Sequence, residues 1–536
     1  MILFLGMIFV SPGLANTISD ADFRDSLSAL NQKKFTQKIQ AIEKLAEFDH
    51  GKTRFVMQSL LDGNLFYRKS DKNIFIAEKT DTELVLKDVI SLEVIDIVGK
   101  RDARKISVNN KIRKLLRLKI SAMSLSHSDP KVRHAAVKEM MKKPALETSN
   151  ILRQYVASEN DETVKNTLRV AIALYDVKSD DKSIKLAALD ILGESSSLES
   201  KYAVLAVLEK DSQASYIEQD QEIIQHAKKI LDSIETQLKF YGFLETLFFG
   251  LSLGSVLLLA AIGLAITFGV MGVINMAHGE LIMLGAYTTY VIQLLMPNNI
   301  EYSVLVAIPA AFLVAGIVGI MIERGILQFL YGRPLETLLA TFGVSLVLQQ
   351  LVRSVFSPLN RSVETPEWMS GAWQINSTLA ITFNRLYILL FCIFVFIMLL
   401  LILKKTALGL YIRAVSQNRQ MAKAMGVRSE WVDALTFGLG SGIAGVAGVA
   451  LSQLTNVGPN MGQAYIIDSF MVVVFGGVGN LWGTFIGAMS LGVVNKFLEP
   501  WSGAVLAKIL ILVFIILFIQ KRPRGLFPQK GRSAEN

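Results

Sequence analysis

Long apolar segments recur from Leu244 onward, and no other feature narrows the fold as much. Membrane segments are predicted near 244–268, 280–296, 303–322, 335–352, 386–403, 431–452, 466–478, 482–498 and 503–520. Several approach the ~20 residues a helix needs to cross about 30 Å of hydrocarbon. Charge is correspondingly scarce. Residues 241–536 hold 18 Lys/Arg and 12 Asp/Glu, against 37 and 34 in residues 1–240. The second part is too poor in charge for a surface in water, whereas the first has the balance of a soluble domain. The expected fold is an all-α polytopic membrane protein of about eight or nine segments preceded by a mainly helical domain. One segment, 466–478, is expected to be short or re-entrant, because it runs into Gly476-Gly477-Val478-Gly479. The apolar fraction of 51 % excludes disorder, and the single Cys392 excludes a disulfide scaffold.

The net charge of +9 gathers in short basic clusters beside apolar segments, a mark of membrane orientation and not of nucleic-acid binding. Lys404, Lys405, Arg413, Arg419, Lys423 and Arg428 crowd the connection 404–430, and Lys521, Arg522, Arg524, Lys530 and Arg532 the tail. Both face the cytoplasm, which puts residue 240 outside when the spans are counted back. Independently, the apolar run Ile2 to Val10 followed by Ser11-Pro12-Gly13-Leu14-Ala15 resembles a secretory cleavage site. Residues 1–15 are thus expected as a signal peptide, 16–240 as an extracytoplasmic domain and 241–536 as the membrane domain. Short apolar stretches separated by charged turns predict a small β insertion near 65–98. Acidic helix starts at Asp129, Asp161 and Asp181 form a weak repeat similar to HEAT-type helical repeats, with Asp129 and Asp161 as caps; a plain helical bundle is the competing reading.

Enzyme signatures are poor. The sequence has no G-x-x-x-x-G-K-[ST] and no H-E-x-x-H. One G-x-S-x-G, Gly250 to Gly254, lies in an apolar stretch and lacks the strand–turn–helix setting that would expose Ser252 to a base such as His278. No catalytic residue, metal or cofactor is expected. Asn275, His278 and Glu280 are polar groups at membrane depth, where such groups face a bundle interior or water. If helical, Asn275 and His278 share a face. Gly438, Gly442, Gly445 and Gly448 stack small residues for close helix packing. The stretch 409–426 is long enough for a short amphipathic cytoplasmic helix, suited to a separate ATPase.

Asn275-Met276-Ala277-His278-Gly279-Glu280, Leu338-Leu339-Ala340-Thr341-Phe342-Gly343-Val344-Ser345, Arg413-Ala414-Val415-Ser416-Gln417-Asn418 and Phe475-Gly476-Gly477-Val478-Gly479 resemble the branched-chain amino acid type of ABC-transporter permease across roughly 244–527. The cytoplasmic stretch is similar to the E-A-A-x-x-x-G coupling signature, with Ala422 and Gly426 in place and departures at Gln420 and Met421. Within that family the large N-terminal domain, Val457-Gly458-Pro459-Asn460, Val494 to Pro500 and Gln520 to Phe527 look most like urea-transporter permeases.

The resemblance implies a bacterial inner-membrane complex with a second permease subunit, two ATPase subunits and a periplasmic urea-binding protein. It also implies a substrate pathway of a few polar groups (Asn275, His278, Glu280, Thr341, Gln349, Gln350, Asn495), ATPase coupling through Arg413, Gln417, Asn418, Ala422 and Gly426, and close packing at Gly476 and Gly477. A branched-chain amino acid permease of the same family and a passive urea channel are the alternatives.

Overall fold

In the computed structural model, residues 20–527 are described, apart from 33, 49, 80–82, 143, 196, 214 and 377. The expected signal peptide, and Lys530 and Arg532 of the tail, lie outside the described residues. The chain divides into two compact units, at Thr236 and Gln237.

The first unit opens with three short helices, α1 (Asp20–Ser28), α2 (Phe35–Ala46) and α3 (Thr53–Asp62). Their apolar faces bury Phe23, Leu27, Ile42, Leu45, Val56 and Leu60 in one core. Strands β1 (Leu65–Arg68), β2 (Ile74–Lys79), β3 (Glu83–Lys87), β4 (Val94–Gly99) and β5 (Ala103–Lys105) form an antiparallel sheet in the order β4-β3-β2-β1-β5. The register pairs Leu65 with Ile76 and Phe66 with Phe75. Alternation sorts the side chains: Leu65, Ile74 and Ile76 join the helical core, while Phe66, Phe75, Leu84 and Leu86 bury the opposite face. The β segment runs to Lys105, past the expected 98, because β5 returns to pair with β1.

Helices α4 (Asn110–Ser124), α5 (Pro130–Met141), α6 (Leu146–Val156), α7 (Glu162–Asp176), α8 (Lys182–Glu194) and α9 (Leu198–Val207) follow. The starts of α4, α5, α7 and α8 are capped by Asn109, Asp129, Asp161 and Asp181, whose side-chain oxygens accept backbone N–H groups at 2.8–3.0 Å. Each cap satisfies an otherwise orphaned donor, worth about 1 kcal/mol. Helix α7 packs against α5, α6, α8 and α9, burying Val164, Leu168 and Ala171.

The second unit is helical: α10 (Gln221–Met271, which begins in the first unit), α11 (His278–Leu295), α12 (Ile300–Gly325), α13 (Pro334–Phe356), α14 (Phe383–Lys405), α15 (Ala407–Gln417), α16 (Arg419–Ala424), α17 (Ser429–Ser452), α18 (Met461–Gly476) and α19 (Leu481–Lys521). A hairpin of β6 (Ala372–Gln374) and β7 (Ala380–Thr382) precedes α14. Among the described residues α10, α12, α13, α14, α17 and α19 are long and apolar enough to cross a membrane. Gly503 interrupts α19 with φ 76°, which separates the stretches expected at 482–498 and 503–520. Helix α18 starts at Met461, five residues before the expected 466.

Glycine governs the packing of α17. A Cβ on Gly445 would sit 2.4 Å from the Ala311 carbonyl of α12, and one on Gly448 2.0 Å from the Ile282 carbonyl of α11. Gly438 and Gly442 meet Ile320 and Phe312 of α12. At these distances no side chain fits: at Gly445 and Gly448 backbone meets backbone, and at Gly438 and Gly442 a side chain of α12 fills the space. Gly476 stands the same way against Gly483, and Gly477, which ends α18 with φ 107°, is packed as closely on the Phe527 carbonyl.

Candidate functional site

The site is built where helices break. After α10 the chain turns at Gly272 (φ 68°) and runs without helical structure to Ala277 before α11 begins. After α17 it does the same over 453–460 before α18. The starts of the two shorter helices then meet, for a Cβ on Gly279 would lie 2.3 Å from the Gly462 carbonyl, and one on Gly462 2.6 Å from the Gly279 carbonyl. Their preceding helices cross in the same reciprocal way at Gly263 and Gly440. The second unit thus holds two similar halves, α10–α12 and α17–α19, whose shorter helices touch at their positive ends.

This junction is deep in the bundle. The His278 ring, through Nε2, bonds the Ala260 carbonyl at 2.8 Å. Ala260 stands eleven residues before the end of α10, about 16 Å along the axis at 1.5 Å per residue. A carbonyl partner requires Nε2 to carry the proton, which leaves Nδ1 a buried acceptor without a partner among the described residues.

Irregular backbone at that depth must be satisfied by protein. Thr341 of α13 does this: its hydroxyl accepts the Met276 N–H at 3.1 Å and lies 3.3 Å from the Ile274 carbonyl. Asn275 Oδ1 accepts the Ala277 N–H at 3.0 Å. Asn275 is therefore not helical, and the helix face it was expected to share with His278 does not exist. Its Nδ2 is buried with no partner among the described residues. Glu280 is buried too; Oε1 accepts the Ser345 hydroxyl of α13 at 3.2 Å, and Oε2, turned toward Gly462, has none. Burial of an unpartnered polar atom costs about 1–3 kcal/mol. Such groups concentrated at one place mark it as more than packing.

Helix α13 turns a polar stripe inward: Thr337, Thr341, Ser345 and Gln349, four residues apart, are all buried. Gln349 Nε2 is a further buried donor without a partner. Gln350, expected on the same path, is exposed with Leu339, Leu346 and Leu351. One residue is 100° around a helix, so Gln349 and Gln350 cannot both face the interior. Asn495 is half-buried on α19, one turn from Gly492, which packs on Gly250 and Gly254 of α10. That level is roughly 9–15 Å along α10 from Ala260, away from the junction. Ser252 lies inside α10, eight residues or about 12 Å along the axis from the Ala260 that His278 bonds, so His278 does not stand beside it as a base. Ser345 and Gly279 enter the sequence reading only as members of the family motifs, and Gly462 does not enter it.

A second polar cluster surrounds the basic connection. Asn418 caps α16 by accepting the Met421 N–H at 2.9 Å, and Arg413 donates to the Leu403 carbonyl. Ala422 is buried with Ile412, Val415 and Val432, whereas Gln417, Met421 and Met425 are exposed. Gly426 takes φ 85° with open space around it, so it serves a turn. Arg419 ion-pairs with the fully buried Asp433 of α17 and lies 4.4 Å over the Tyr331 ring. Tyr331 donates to Glu323 of α12 at 2.9 Å. Arg324 stacks 4.5 Å over Trp431. The short helix α16 is thereby tied to α17 through Ala422 against Val432 and through Arg419 with Asp433, and to α12 through Tyr331 and Glu323; Arg419 is not among the residues expected to couple.

Comparison with known proteins places these features. Residues 246–519 match the family model described as branched-chain amino acid transport system / permease component. The chain is 30 % identical over 298 residues to the high-affinity branched-chain amino acid transport system permease protein LivH of Salmonella typhimurium, covering 54 % of this chain and 96 % of that one. Its likeness to the permease BraD of Pseudomonas aeruginosa has the same identity and coverage. The ribose import permease RbsC of Escherichia coli is 26 % identical over 263 residues, 46 % of this chain and 75 % of that one. These relatives are transport permease subunits, not enzymes. No solved structure matches the chain significantly.

Proposed function

The chain belongs to the branched-chain amino acid transport permease family, and on that premise we propose that it is the permease through which an ABC importer of the inner membrane moves urea by alternating access. The observation that carries this reading is the junction of α11 and α18. There Asn275 Nδ2 and Glu280 Oε2, with Gln349 Nε2 on the polar stripe of α13, are buried and unpartnered. Two donors and an acceptor complement a neutral amide that offers one carbonyl and several N–H groups. Apart from Glu280, which accepts the Ser345 hydroxyl, the route along Thr341, Ser345 and Gln349 is lined by uncharged polar groups, as suits a neutral solute.

A neutral solute gains nothing from the membrane potential, and a thousandfold gradient costs about 4 kcal/mol. The work comes from ATPase subunits, acting on α15 and α16 from the cytoplasm. The exposed Met421 and Met425 offer them apolar contacts. Arg419 passes the movement to α17 through Asp433, and to α12 through Tyr331 and Glu323. A second permease subunit, a periplasmic binding protein and a periplasmic first unit complete this reading.

Branched-chain amino acids form the second reading. The relatives' names favour it, and so does the meeting of two helix starts, which suits a carboxylate while Glu280 suits an ammonium. Uptake by the complete transporter in proteoliposomes separates the two. Labelled urea should enter with ATP and be competed by acetamide, not leucine. ATP-driven leucine uptake that excess urea leaves untouched would assign the site to amino acids, and urea entry without ATP would make it a channel.

A further inference from the structure

One sign of charge gathers in the first unit. Residues 100–119 hold nine Lys/Arg and one acid, Asp102, whereas the rest of residues 1–240 hold 28 bases and 33 acids. Helix α4 carries four of these bases, Lys111, Arg113, Lys114 and Arg117, all exposed. At about 100° per residue they fill one arc of the helix, opposite the buried Ile112 and Leu116. Among the described residues only Arg117 of the four has an acid within ion-pair reach, Glu139 at 3.7 Å. The patch extends to β5. Lys38 donates to the Ser107 carbonyl at 2.9 Å, just before α4, and burial, followed by the nearby Arg104, lowers its pKa. Arg104 therefore stands close to the start of α4.

These charges work against the helix that carries them. Lys111 and Lys114, Lys114 and Arg117, and Arg113 and Arg117 are three or four residues apart, where like charges repel. The first turn of α4 has no acid, and Lys111 and Arg113 stand there at the positive end of the helix dipole. Helix α7, by contrast, places Glu162 in that position. An anionic partner relieves an arrangement this unfavourable. Along residues 100–119 no large apolar side chain is exposed. Protein interfaces centre on a desolvated apolar core, whereas anionic lipid headgroups are met by a cluster of Lys/Arg on an amphipathic helix through charge alone. The chain also keeps the first unit near such headgroups. Helix α10 runs unbroken across the unit boundary, and Gln237 is seven residues, about 10 Å, from the apolar stretch that opens at Leu244. We propose that the α4 face, with Arg104, docks on anionic phospholipid headgroups of the membrane that α10 enters.

The test uses the full chain in nanodiscs. Asn110→Cys, exposed at the start of α4, carries a fluorophore, and the buried Cys392 does not compete for the label. A nitroxide on a lipid headgroup reports proximity by quenching. Quenching should be at least about twofold stronger in nanodiscs of phosphatidylglycerol with phosphatidylcholine than in phosphatidylcholine alone. Salt at about 0.5 M should remove the difference, because it shortens the Debye length to about 4 Å. The triple variant Lys111→Gln, Arg113→Gln and Lys114→Gln keeps the Asn109 cap and should lose the difference in low salt as well. Equal quenching in the two lipids overturns the proposal, as does a difference that salt leaves intact, or a folded triple variant quenched like its parent. So does no quenching in either lipid, which would turn the patch toward an acidic protein. The salt comparison is made on the unsubstituted patch and decides the matter even where the triple variant fails to fold.

Discussion

The two units hold their charges in opposite ways. In the first unit charges are many and mostly at the surface, as in Lys182 with Glu222 and Lys165 with Glu162, and a buried one such as Asp88 is paired there with Arg24. They cap helices and hold turns, and most could be exchanged at little cost. In the second unit the fully buried acids Glu280, Glu323 and Asp433 stand at two places, the junction of α11 with α18 and the contact of α16 with α17. An ionisable group inside a membrane bundle is expensive, so its retention is a stronger statement about function than any number of surface pairs. The same residue type therefore has a different meaning on the two sides of Gln237, and substitutions can break or sharpen that contrast.

The largest effect is expected at Arg419. Arg419→Met leaves Asp433 buried and unpaired, a penalty of about 3–5 kcal/mol in a closed site and nearer the low end here, because Arg419 is a third exposed. Uptake should fall at least tenfold while ATP hydrolysis continues, which is uncoupling. Arg419→Met with Asp433→Asn removes the stranded charge and should recover the lost stability without restoring coupling. Uptake and ATPase rates measured together check this; a variant coupled like wild type would return the cluster to plain packing.

A smaller effect is expected at the junction. Glu280→Gln keeps the shape and removes the charge, and hydrogen bonds to charged groups are worth about 1.5–3 kcal/mol. Urea uptake at low concentration should drop about 10- to 100-fold, with insertion and ATPase assembly unchanged. Loss of insertion instead would show that Glu280 holds the bundle together and does not meet the solute. The corresponding exchange at a surface acid of the first unit, such as Glu162, should change nothing measurable, and that difference is the contrast in its plainest form.

Much of this architecture is legible before any coordinates. Hydropathy marks the long and short apolar helices of the second unit but not α15 and α16, which replace the one short helix expected over 409–426, and the acids Asp129 and Asp161 announce the helices they cap. Those signals are local, carried by periodicity and by residues a few positions apart. What escapes is whatever depends on the chain meeting itself. Nothing near Gln349 and Gln350 tells which one faces inward; that is decided by packing of α13 against α11. The pairing of Gly279 with Gly462 spans 183 residues, and neither glycine differs locally from the others. Arg419 and Asp433 are 14 apart, yet the turn at Gly426 brings them together, and a charge count reads Arg419 only as topology. The helix break at Gly272 hides the Asn275 geometry, because a helical spacing rule is applied where the backbone is not helical.

The smallest effect belongs to the first unit and concerns stability alone. Asp88 is nearly buried, and burial pushes its carboxyl up. The Arg24 hydrogen bonds and the N–H groups of Ser91 and Ile90, both 2.9 Å away, outweigh that and hold it at about 2, below the ordinary 3.8. A depressed carboxylate pKa stabilises the fold above the unfolded value and loses that contribution as pH falls through the folded one. Asp88 should therefore contribute up to about 2 kcal/mol at neutral pH, declining between pH 4 and 2. Hydrogen exchange of α1 and β3 in the full-length protein can follow this. Asp88→Asn should speed exchange at pH 6, the difference from wild type should close toward pH 2, and uptake should stay as in wild type. A gap that persists at pH 2 would locate the effect in shape and not in charge. A fall in uptake would mean that this unit's ion pairs, too, belong to transport, and the contrast between the two units would fail.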